Sequence, residues 1–186
     1  MKKTLLIASI LLVAVISTAC INNLAVQDLN NKAKSYMEQG DYTQAIERLK
    51  SSLDLDSSVF ETHYNLAIAY TGAEDYANAV EEYKKALSIR QDADVYYSLA
   101  TAENNLSVDI QQGRVRINID NNLYTPKADE ISFDEKYQMS EKEKQLVEDL
   151  NNSAVQNYKK YLELNPNAKD KEDVDKLIEK LSNIEE

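Results

Sequence analysis

The sequence predicts an all-α protein, an α-solenoid of about three helix-turn-helix repeats closed by a C-terminal capping helix. Two observations predict this class: two segments superimpose with a shift of 34 residues, and apolar residues recur at helical spacing. The 186 residues include three Gly, two Pro and no Trp, and 28% are charged. This composition is typical of one helix-rich soluble domain that follows a separate N-terminal segment.

The two repeated segments are KAKSYMEQGDYTQAIERLKSSLDL, residues 32–55, and LAIAYTGAEDYANAVEEYKKALSI, residues 66–89. Small residues at shared positions let two helices approach closely, while tyrosines fill the space between them. A single helix pair cannot bury its apolar face, so such repeats stack. The matched pairs are Ala33 with Ala67, Tyr36 with Tyr70, Tyr42 with Tyr76, Ala45 with Ala79, and Leu53 with Leu87.

This period and residue pattern resemble the tetratricopeptide repeat family. A third repeat is split, because VYYSLATAENNL matches a first helix while the matching second helix, NSAVQNYKKYLELNPNA, begins only at residue 152. After Pro166 the apolar residues fall on one face of a helix and the charged residues on the other. This pattern predicts the capping helix, with a polar outer face, that a repeat stack requires. The predicted organisation is repeats at 26–59, 60–92 and 93–106 with 150–168, an insertion at 107–139, and a capping helix at 169–184.

The insertion breaks the helical period. In RVRINI, apolar residues alternate with polar ones, and DNN offers a turn before Leu123, so the pattern favours a short β-hairpin in the third repeat. The sequence SEKE from Ser140 is a capping box that opens a helix of about 24 residues. We therefore expect the hairpin and the extra helical turns to project from the array. Two interpretations stay open: a tolerated surface elaboration, or a partner-contacting arm that uses Arg114, Arg116 and Tyr124.

The N-terminus, MKKTLLIASILLVAVISTAC, has two lysines, an uncharged apolar run and small residues before the single cysteine. This is the plan of an export signal. Residues 16–20, Ile-Ser-Thr-Ala-Cys, resemble the lipobox of bacterial lipoproteins, with Ser17 where Leu is usual. The resemblance implies a signal peptide at 1–19, lipid on Cys20, a tether at 20–25, and a location on the extracytoplasmic side of a membrane in the bacterial cell envelope. Plain secretion and an uncleaved anchor are the alternatives.

The charge excludes one class of partner. The net charge is −11, and loss of residues 1–19 removes Lys2 and Lys3 as well. Nucleic-acid binding needs a basic face, so we expect no nucleic-acid partner.

No enzyme constellation is present in the sequence. The single histidine, His63, falls at a repeat position that usually holds a packing residue, so a packing role is favoured over a ligand or base role. Without Cys or His partners it makes no zinc site, and the isolated glycines make no phosphate loop. We therefore expect no enzyme activity, no cofactor and no metal.

The remaining function class is binding. In the family that the repeats resemble, the first helices line a concave groove that takes peptides. One branch of this family binds a C-terminal carboxylate through side chains at fixed groove positions. Asn65 matches one of these positions, but Asp94 stands at another and would repel the ligand. The alternative to peptide binding is that the groove asparagines are ordinary solvent-exposed residues of their helices. The groove positions carried over are Asn30, Asn31, Lys34, Tyr64, Asn65, Ile68, Tyr97, Ser98 and Thr101.

The sequence thus favours a membrane-anchored adaptor or assembly factor of the bacterial cell envelope. Its expected partners are another envelope protein or peptide segment, and the membrane through the lipid. Two alternatives stay open: a structural protein that self-associates end to end, or an accessory subunit that regulates a cell-wall enzyme.

Overall fold

The structure is a computed structural model that describes residues 23–118, 120–127 and 137–183. In these ranges seven helices and one two-stranded antiparallel sheet follow one another, which confirms the predicted α-solenoid with a small hairpin insertion. The first helix, α1, covers residues 23–38. The other elements are α2 (Tyr42–Leu55), α3 (Phe60–Gly72), α4 (Tyr76–Ile89), α5 (Ala93–Gln111), β1 (Arg116–Ile117), β2 (Leu123–Tyr124), α6 (Glu141–Leu164) and α7 (Lys171–Ser182).

The first two repeats begin their second helices in the same way. The side chain of Asp41 accepts a hydrogen bond from the Gln44 amide at the start of α2, and Asp75 accepts one from the Asn78 amide at the start of α4. These N-caps satisfy amides that have no partner inside the helix. At Gly72 an added Cβ would lie 2.2 Å from the Tyr42 ring, so the close approach of the two repeats requires glycine there.

Alanines bring the helices together, as the repeat pattern predicts. Ala33, Ala45, Ala67 and Ala79 are all fully buried, and the surrounding core includes Leu49. A second core joins α5, α6 and α7. Its members are Ala100, Ala154, Val155, Tyr158, Tyr161, Val174 and Leu181.

The third repeat is a longer helix pair than the first two. Helix α5 has 19 residues and α6 has 24, against 13 or 14 for α2, α3 and α4. The first five residues of the predicted insertion, 107–111, therefore continue α5. Ser107 Oγ donates to Asn151 Oδ1 at 2.8 Å, which ties the two extensions together. The capping box at Ser140 and Glu143 and the 24-residue length of α6 are confirmed.

The hairpin forms where the alternation predicts it. Arg116 pairs with Tyr124, and Ile117 pairs with Leu123. The Asn118 carboxamide oxygen accepts hydrogen bonds from the amides of residues 120 and 122, which closes the turn. Ile119, which the pattern places on the apolar face, lies outside the described residues.

The expectation that the hairpin projects from the array is wrong. Val115 and Leu123 pack against the main core, and the Ile117 amide donates to Glu143 Oε1 at 3.0 Å. The apolar side of the hairpin is thereby partly removed from water, which stabilises the docked position.

Both ends of the described chain are helical. At the C-terminus, Val174 and Leu181 of α7 are buried, as predicted for the capping helix, and Ile184 lies outside the described residues. At the N-terminus, α1 already includes residue 23, so helix occupies part of the predicted tether at 20–25. The predicted signal peptide and Cys20 lie outside the described residues. None of the described helices has the length and hydropathy of a bilayer span.

Candidate functional site

A cavity of about 450 Å³ lies between α1 and α3, near the ends at which both helices begin. We call it the amide cavity, because half of its lining residues are Asn or Gln. Four of the predicted groove residues, Asn30, Asn31, Lys34 and Asn65, meet there. The remaining lining residues are Asn23, Val26, Gln27, Asp56, Val59 and Glu61.

Asn30 is a buried structural link and not a surface contact. Its Nδ2 lies 3.0 Å from the Val26 carbonyl oxygen, 3.0 Å from Ser52 Oγ and 2.9 Å from Thr62 Oγ1. Ser52 and Thr62 are fully buried, and Asn30 is 8% exposed. The Asn30 carboxamide therefore joins α1 to α2 and α3.

This link fixes the orientation of Asn65. The Val26 carbonyl can only accept, so the Asn30 atom beside it is Nδ2 and the other amide atom is Oδ1. Asn30 Oδ1 can only accept, so Asn65 turns its Nδ2 toward it, at 3.0 Å. Asn65 Oδ1 then has no hydrogen-bond partner among the described residues, although Asn65 is 93% buried. The cavity thus presents a fixed acceptor.

The other groove positions form an aromatic wall instead of entering the cavity. Tyr64 stacks between Phe60 and Tyr83, with ring centroids 6.0 and 6.1 Å away. Burial raises the pKa of Tyr64 above its ordinary value, although a hydrogen bond with Ser98 opposes the shift. Ile68 is partly buried against the main core.

The third-repeat positions are also engaged within the fold. Tyr97 makes edge contacts with Tyr158 and Tyr161, at 5.7 and 5.2 Å between ring centroids. Thr101 Oγ1 donates to the Tyr97 carbonyl oxygen, and Ser98 Oγ donates to the Asp94 carbonyl oxygen. Thr101 Oγ1 also lies 3.1 Å from the Tyr158 hydroxyl, and Ser98 hydrogen-bonds Tyr64, so both hydroxyls are used within the fold.

Sequence reasoning missed part of the cavity. Asn23 lies two helical turns before Asn31, and Gln27 lies one turn before it. Both line the cavity because α1 already includes residue 23. Continuing the helical period backward from Asn31 would have found both. Asp56 and Val59 come from the α2–α3 connection, which no periodicity indicates.

A second, larger cavity of about 700 Å³ separates the hairpin from the turn between α3 and α4. We call it the hairpin cleft. Tyr124, which is 37% exposed, lines it from the hairpin, and Glu74, Tyr76 and Glu81 line it from the second repeat. The cleft is therefore aromatic and acidic.

The two predicted arm arginines hold the insertion in place. Arg114 Nε donates to Asp109 Oδ1 at 2.8 Å, and the Arg116 guanidinium lies 4.7 Å from the centroid of the Tyr137 ring. Tyr124 is the one of the three predicted arm residues that faces a cavity. Tyr124 therefore lines the hairpin cleft, whereas Arg114 keeps an exposed side chain beside Asp109 and Arg116 packs on the Tyr137 ring.

Glu143 connects the hairpin to α6. Its two carboxylate oxygens accept from the amides of Ile117 and Ser140, at 3.0 and 2.8 Å. Burial alone would raise the pKa of Glu143, but these backbone hydrogen bonds and one from the Tyr137 hydroxyl hold it below its ordinary value. Burial and the neighbouring carboxylate raise the pKa of Tyr137 to about 12. Glu143 is thus a charged anchor at neutral pH.

Glu103 is a second buried carboxylate, at the position where the first two repeats have tyrosine. It accepts hydrogen bonds from Ser153 Oγ and Asn157 Nδ2, both at 2.8 Å, and Lys84 Nζ lies 3.4 Å away. Burial raises the pKa of Glu103 above its ordinary value, against the opposing effects of Ser153, Lys84 and Asn157. The group joins α4, α5 and α6.

His63 has a packing position, as the repeat alignment predicts. It is 6% exposed, and its Nδ1 lies 2.6 Å from Glu82 Oε2 while Nε2 lies 3.0 Å from the Ser57 carbonyl oxygen. Both ring nitrogens therefore serve the α2–α3–α4 junction. Over residues 23–118, 120–127 and 137–183, no group of three or more His, Cys, Asp or Glu side chains is arranged to hold a metal ion.

Comparison with known proteins is consistent with this architecture. Residues 19–92 match the tetratricopeptide repeat family, and this segment contains both predicted regular repeats. A search of curated protein sequences found no match.

Two solved structures illustrate the fold similarity. One is the first TPR of Spaghetti (RPAP3) bound to the HSP90 peptide SRMEEVD, with 19% identity, a TM-score of 0.57, and coverage of 86% of this chain and 91% of that one. The other is the second TPR domain of human RPAP3 in complex with the HSP70 peptide SGPTIEEVD, with 15% identity, a TM-score of 0.58, and coverage of 87% and 98%. The chain therefore has a tetratricopeptide-like fold, with a family match over its first two repeats and a modified third.

Proposed function

We propose that this protein is a lipid-anchored adaptor of the bacterial cell envelope that binds a segment of another protein in the amide cavity. The observation that carries the proposal is the Oδ1 atom of Asn65, an unpartnered acceptor on a side chain that is 93% buried, fixed in orientation by Asn30. The Oδ1 atom is not one of the buried atoms that lack a partner, so it faces the cavity within reach of water. A ligand that donates a hydrogen bond to it replaces water at an acceptor that is already oriented.

The lining of the cavity indicates the chemistry of that segment. Asn31 and Gln27 add donors and acceptors beside Asn65, which suits the alternating N–H and C=O groups of an extended peptide backbone. Lys34 provides one positive charge, and Asp56 and Glu61 provide two negative charges. An internal stretch of chain with free backbone N–H groups matches this lining.

The proposed ligand differs from the acidic peptides in the two similar structures. Those two structures hold peptides that end in Glu-Glu-Val-Asp. In this chain one of the two Asn65 Nδ2 hydrogens is used by Asn30, and Asp56 and Glu61 would repel a carboxylate. We therefore expect no binding of such C-terminal peptides.

In-cell cross-linking and capture of the tagged full-length protein, followed by mass spectrometry, tests the binding proposal. An Asn31→Ala/Asn65→Ala variant is compared with the matched control Asn152→Ala, which removes an exposed amide from α6 outside the cavity. We expect one abundant partner with wild type and control, and loss of at least about tenfold with the double variant. Circular dichroism verifies that the variants stay folded.

Two other results would contradict the proposal. A partner retained by the double variant but lost on Tyr124→Ala would place the interaction in the hairpin cleft. Capture of this chain alone would favour self-association.

The lipid anchor is supported by the N-terminal sequence, in which the single cysteine of the chain follows an apolar run and small residues. A Cys20→Ser variant should leave the membrane fraction and lose incorporation of a labelled fatty acid. Membrane association without label would instead indicate an uncleaved anchor, and release of the wild type into the medium would indicate plain secretion.

A further inference from the structure

The exposed large apolar side chains are not scattered over the surface. Among the described residues five are exposed: Leu24 (69%), Leu55 (41%), Ile89 (43%), Tyr124 (37%) and Leu164 (44%). Tyr124 belongs to the hairpin cleft. The other four share a position in the fold.

Leu55, Ile89 and Leu164 are the last helical residues of α2, α4 and α6, the second helices of the three repeats. Leu24 lies in the first turn of α1. Consecutive helices of the array run in opposite directions, so the first helices begin at the same edge at which the second helices end. The four side chains therefore form a row along one edge, with one member from each repeat's second helix.

The described chain begins at this same edge, at residue 23 of α1. Cys20 precedes residue 23 by three peptide units, which span at most about 10 Å. A lipid attached to Cys20 would hold this edge, and not the opposite one with the hairpin, next to the bilayer. The row of apolar side chains comes from the structure and the attachment point from the proposed anchor, and both indicate the same side of the molecule.

We infer that this edge is a membrane-contacting surface, on which Leu24, Leu55, Ile89 and Leu164 enter the interfacial layer of the bilayer. The inference rests on the proposed lipid anchor, which supplies the proximity, and adds the orientation of the body. Four apolar side chains that enter the interfacial layer bury apolar surface there, which holds the body in one orientation beside the lipid on Cys20.

The charges along the edge determine which lipid surface fits. Asp54 and Asp56 flank Leu55, and Asp92 follows Ile89 after two residues. One cation of this edge, Arg90, already pairs with Glu61 at 3.1 Å and with Asp92 at 3.6 Å. Lys169 and Lys171, which follow Leu164, are outnumbered by Glu163, Asp170 and Glu172. The edge is therefore net acidic, and it suits a zwitterionic surface better than an anionic one.

The absence of tryptophan from the whole sequence allows a direct test. Single reporters Leu55→Trp, Ile89→Trp and Leu164→Trp, with Tyr124→Trp as the matched control, are placed in the full-length lipid-modified protein. Each is reconstituted into phosphatidylcholine vesicles with and without brominated acyl chains, which quench tryptophan fluorescence on contact.

We expect quenching of the three edge reporters to exceed that of Tyr124→Trp by about twofold or more, and to weaken when phosphatidylglycerol replaces part of the phosphatidylcholine. Equal, low quenching of all four reporters would overturn the inference. Vesicle flotation separates the two proposals: protein that floats without quenching contradicts the orientation alone, whereas protein that does not float contradicts the anchor.

A second measurement tests for a different occupant of the edge. Acrylamide quenching of the same reporters without vesicles should show the edge positions accessible to water. Shielding that increases with protein concentration would assign the row to contacts between copies of the chain and overturn the lipid assignment.

Discussion

The helices of the first two repeats and those of the third repeat are held together by different sets of interactions. In the first two, fully buried alanines and leucines hold helices of 13 to 16 residues together. The third repeat also buries alanines, and it adds two buried carboxylates. Glu103 joins the helices of 19 and 24 residues, and Glu143 joins the hairpin to the start of α6. Apolar packing is non-directional, whereas each carboxylate fixes particular partners.

The difference indicates how an insertion can be accommodated in a repeat array. A hairpin of two-residue strands has too little apolar surface to dock by burial alone. The Glu143 carboxylate adds two backbone hydrogen bonds, one to the hairpin and one to the start of α6. We therefore expect the regular repeats to be sensitive to side-chain volume and the third repeat to be sensitive to charge and pH.

The largest expected effect is the loss of volume in a regular repeat. Leu49→Ala should lower the free energy of unfolding by about 3 kcal/mol, because Leu49 is fully buried and its truncation leaves a cavity. Urea denaturation followed by circular dichroism measures this loss. The control Leu55→Ala truncates an exposed leucine of the same helix, and an equally large loss there would contradict the expectation.

The next effect is the release of the hairpin. Glu143→Ala should cost about 2 kcal/mol, because it removes the charged acceptor of the part-buried hydrogen bonds from the Ile117 and Ser140 amides. Amide hydrogen exchange should accelerate in residues 115–124 more than in α3. Glu141→Ala, at an exposed position of the same helical turn, is the matched control, and equal acceleration in both variants would argue against a specific anchor.

The two carboxylates predict opposite responses to pH. Because the folded-state pKa of Glu103 is raised above its ordinary value of 4.5, the native state favours the protonated form, and this contribution is lost as pH rises through the raised pKa. Because the folded-state pKa of Glu143 is lowered from 4.5, its contribution is present above that value and lost as pH falls through the lowered pKa.

Glu103→Gln isolates the first response. Relative to the variant, the wild type should lose roughly 1 kcal/mol of stability as pH rises from 4 to 7. Urea titrations of both proteins across this range measure the difference. A constant difference would show that Glu103 titrates at its ordinary value.

The smallest effect compares the turns of the two regular repeats. Glu74 has a φ of +59°, whereas the equivalent residue of the first repeat, Gly40, has a φ of +75°. Glu74→Gly should stabilise the protein by roughly 0.5–1 kcal/mol, because it removes the strain of a side chain in the left-handed region. Gly40→Ala should destabilise it by a similar amount, and since a Cβ there meets nothing within 4 Å, the backbone alone is tested. Thermal unfolding measures both, and shifts of equal sign would contradict the interpretation.

The fold could be predicted because its main signals are local or periodic. The repeat of 34 residues located the helix pairs, the alternation of RVRINI located the hairpin, and the capping box located the start of α6. Each depends on residues within a few positions of one another or on one fixed spacing.

The site was harder to predict because its features depend on partners distant in sequence. Asn30 was expected to face the groove, yet its amide is bound by Ser52 and Thr62, 22 and 32 residues away. Glu143 was expected to cap its own helix, which it does, but its other oxygen binds Ile117, 26 residues earlier. The docking of the hairpin and the orientation of Asn65 follow from these contacts and from no sequence pattern.

The link through Asn30 has a consequence for how the array comes apart. Terminal repeats of a solenoid tend to fray, because each has only one neighbour. Separation of α1 would remove the Asn30 amide from the buried hydroxyls of Ser52 and Thr62. We therefore expect the first two repeats to open as one cooperative unit. Helix α7 buries only two side chains, Val174 and Leu181, and we expect local opening to begin at that end, farthest along the chain from the amide cavity.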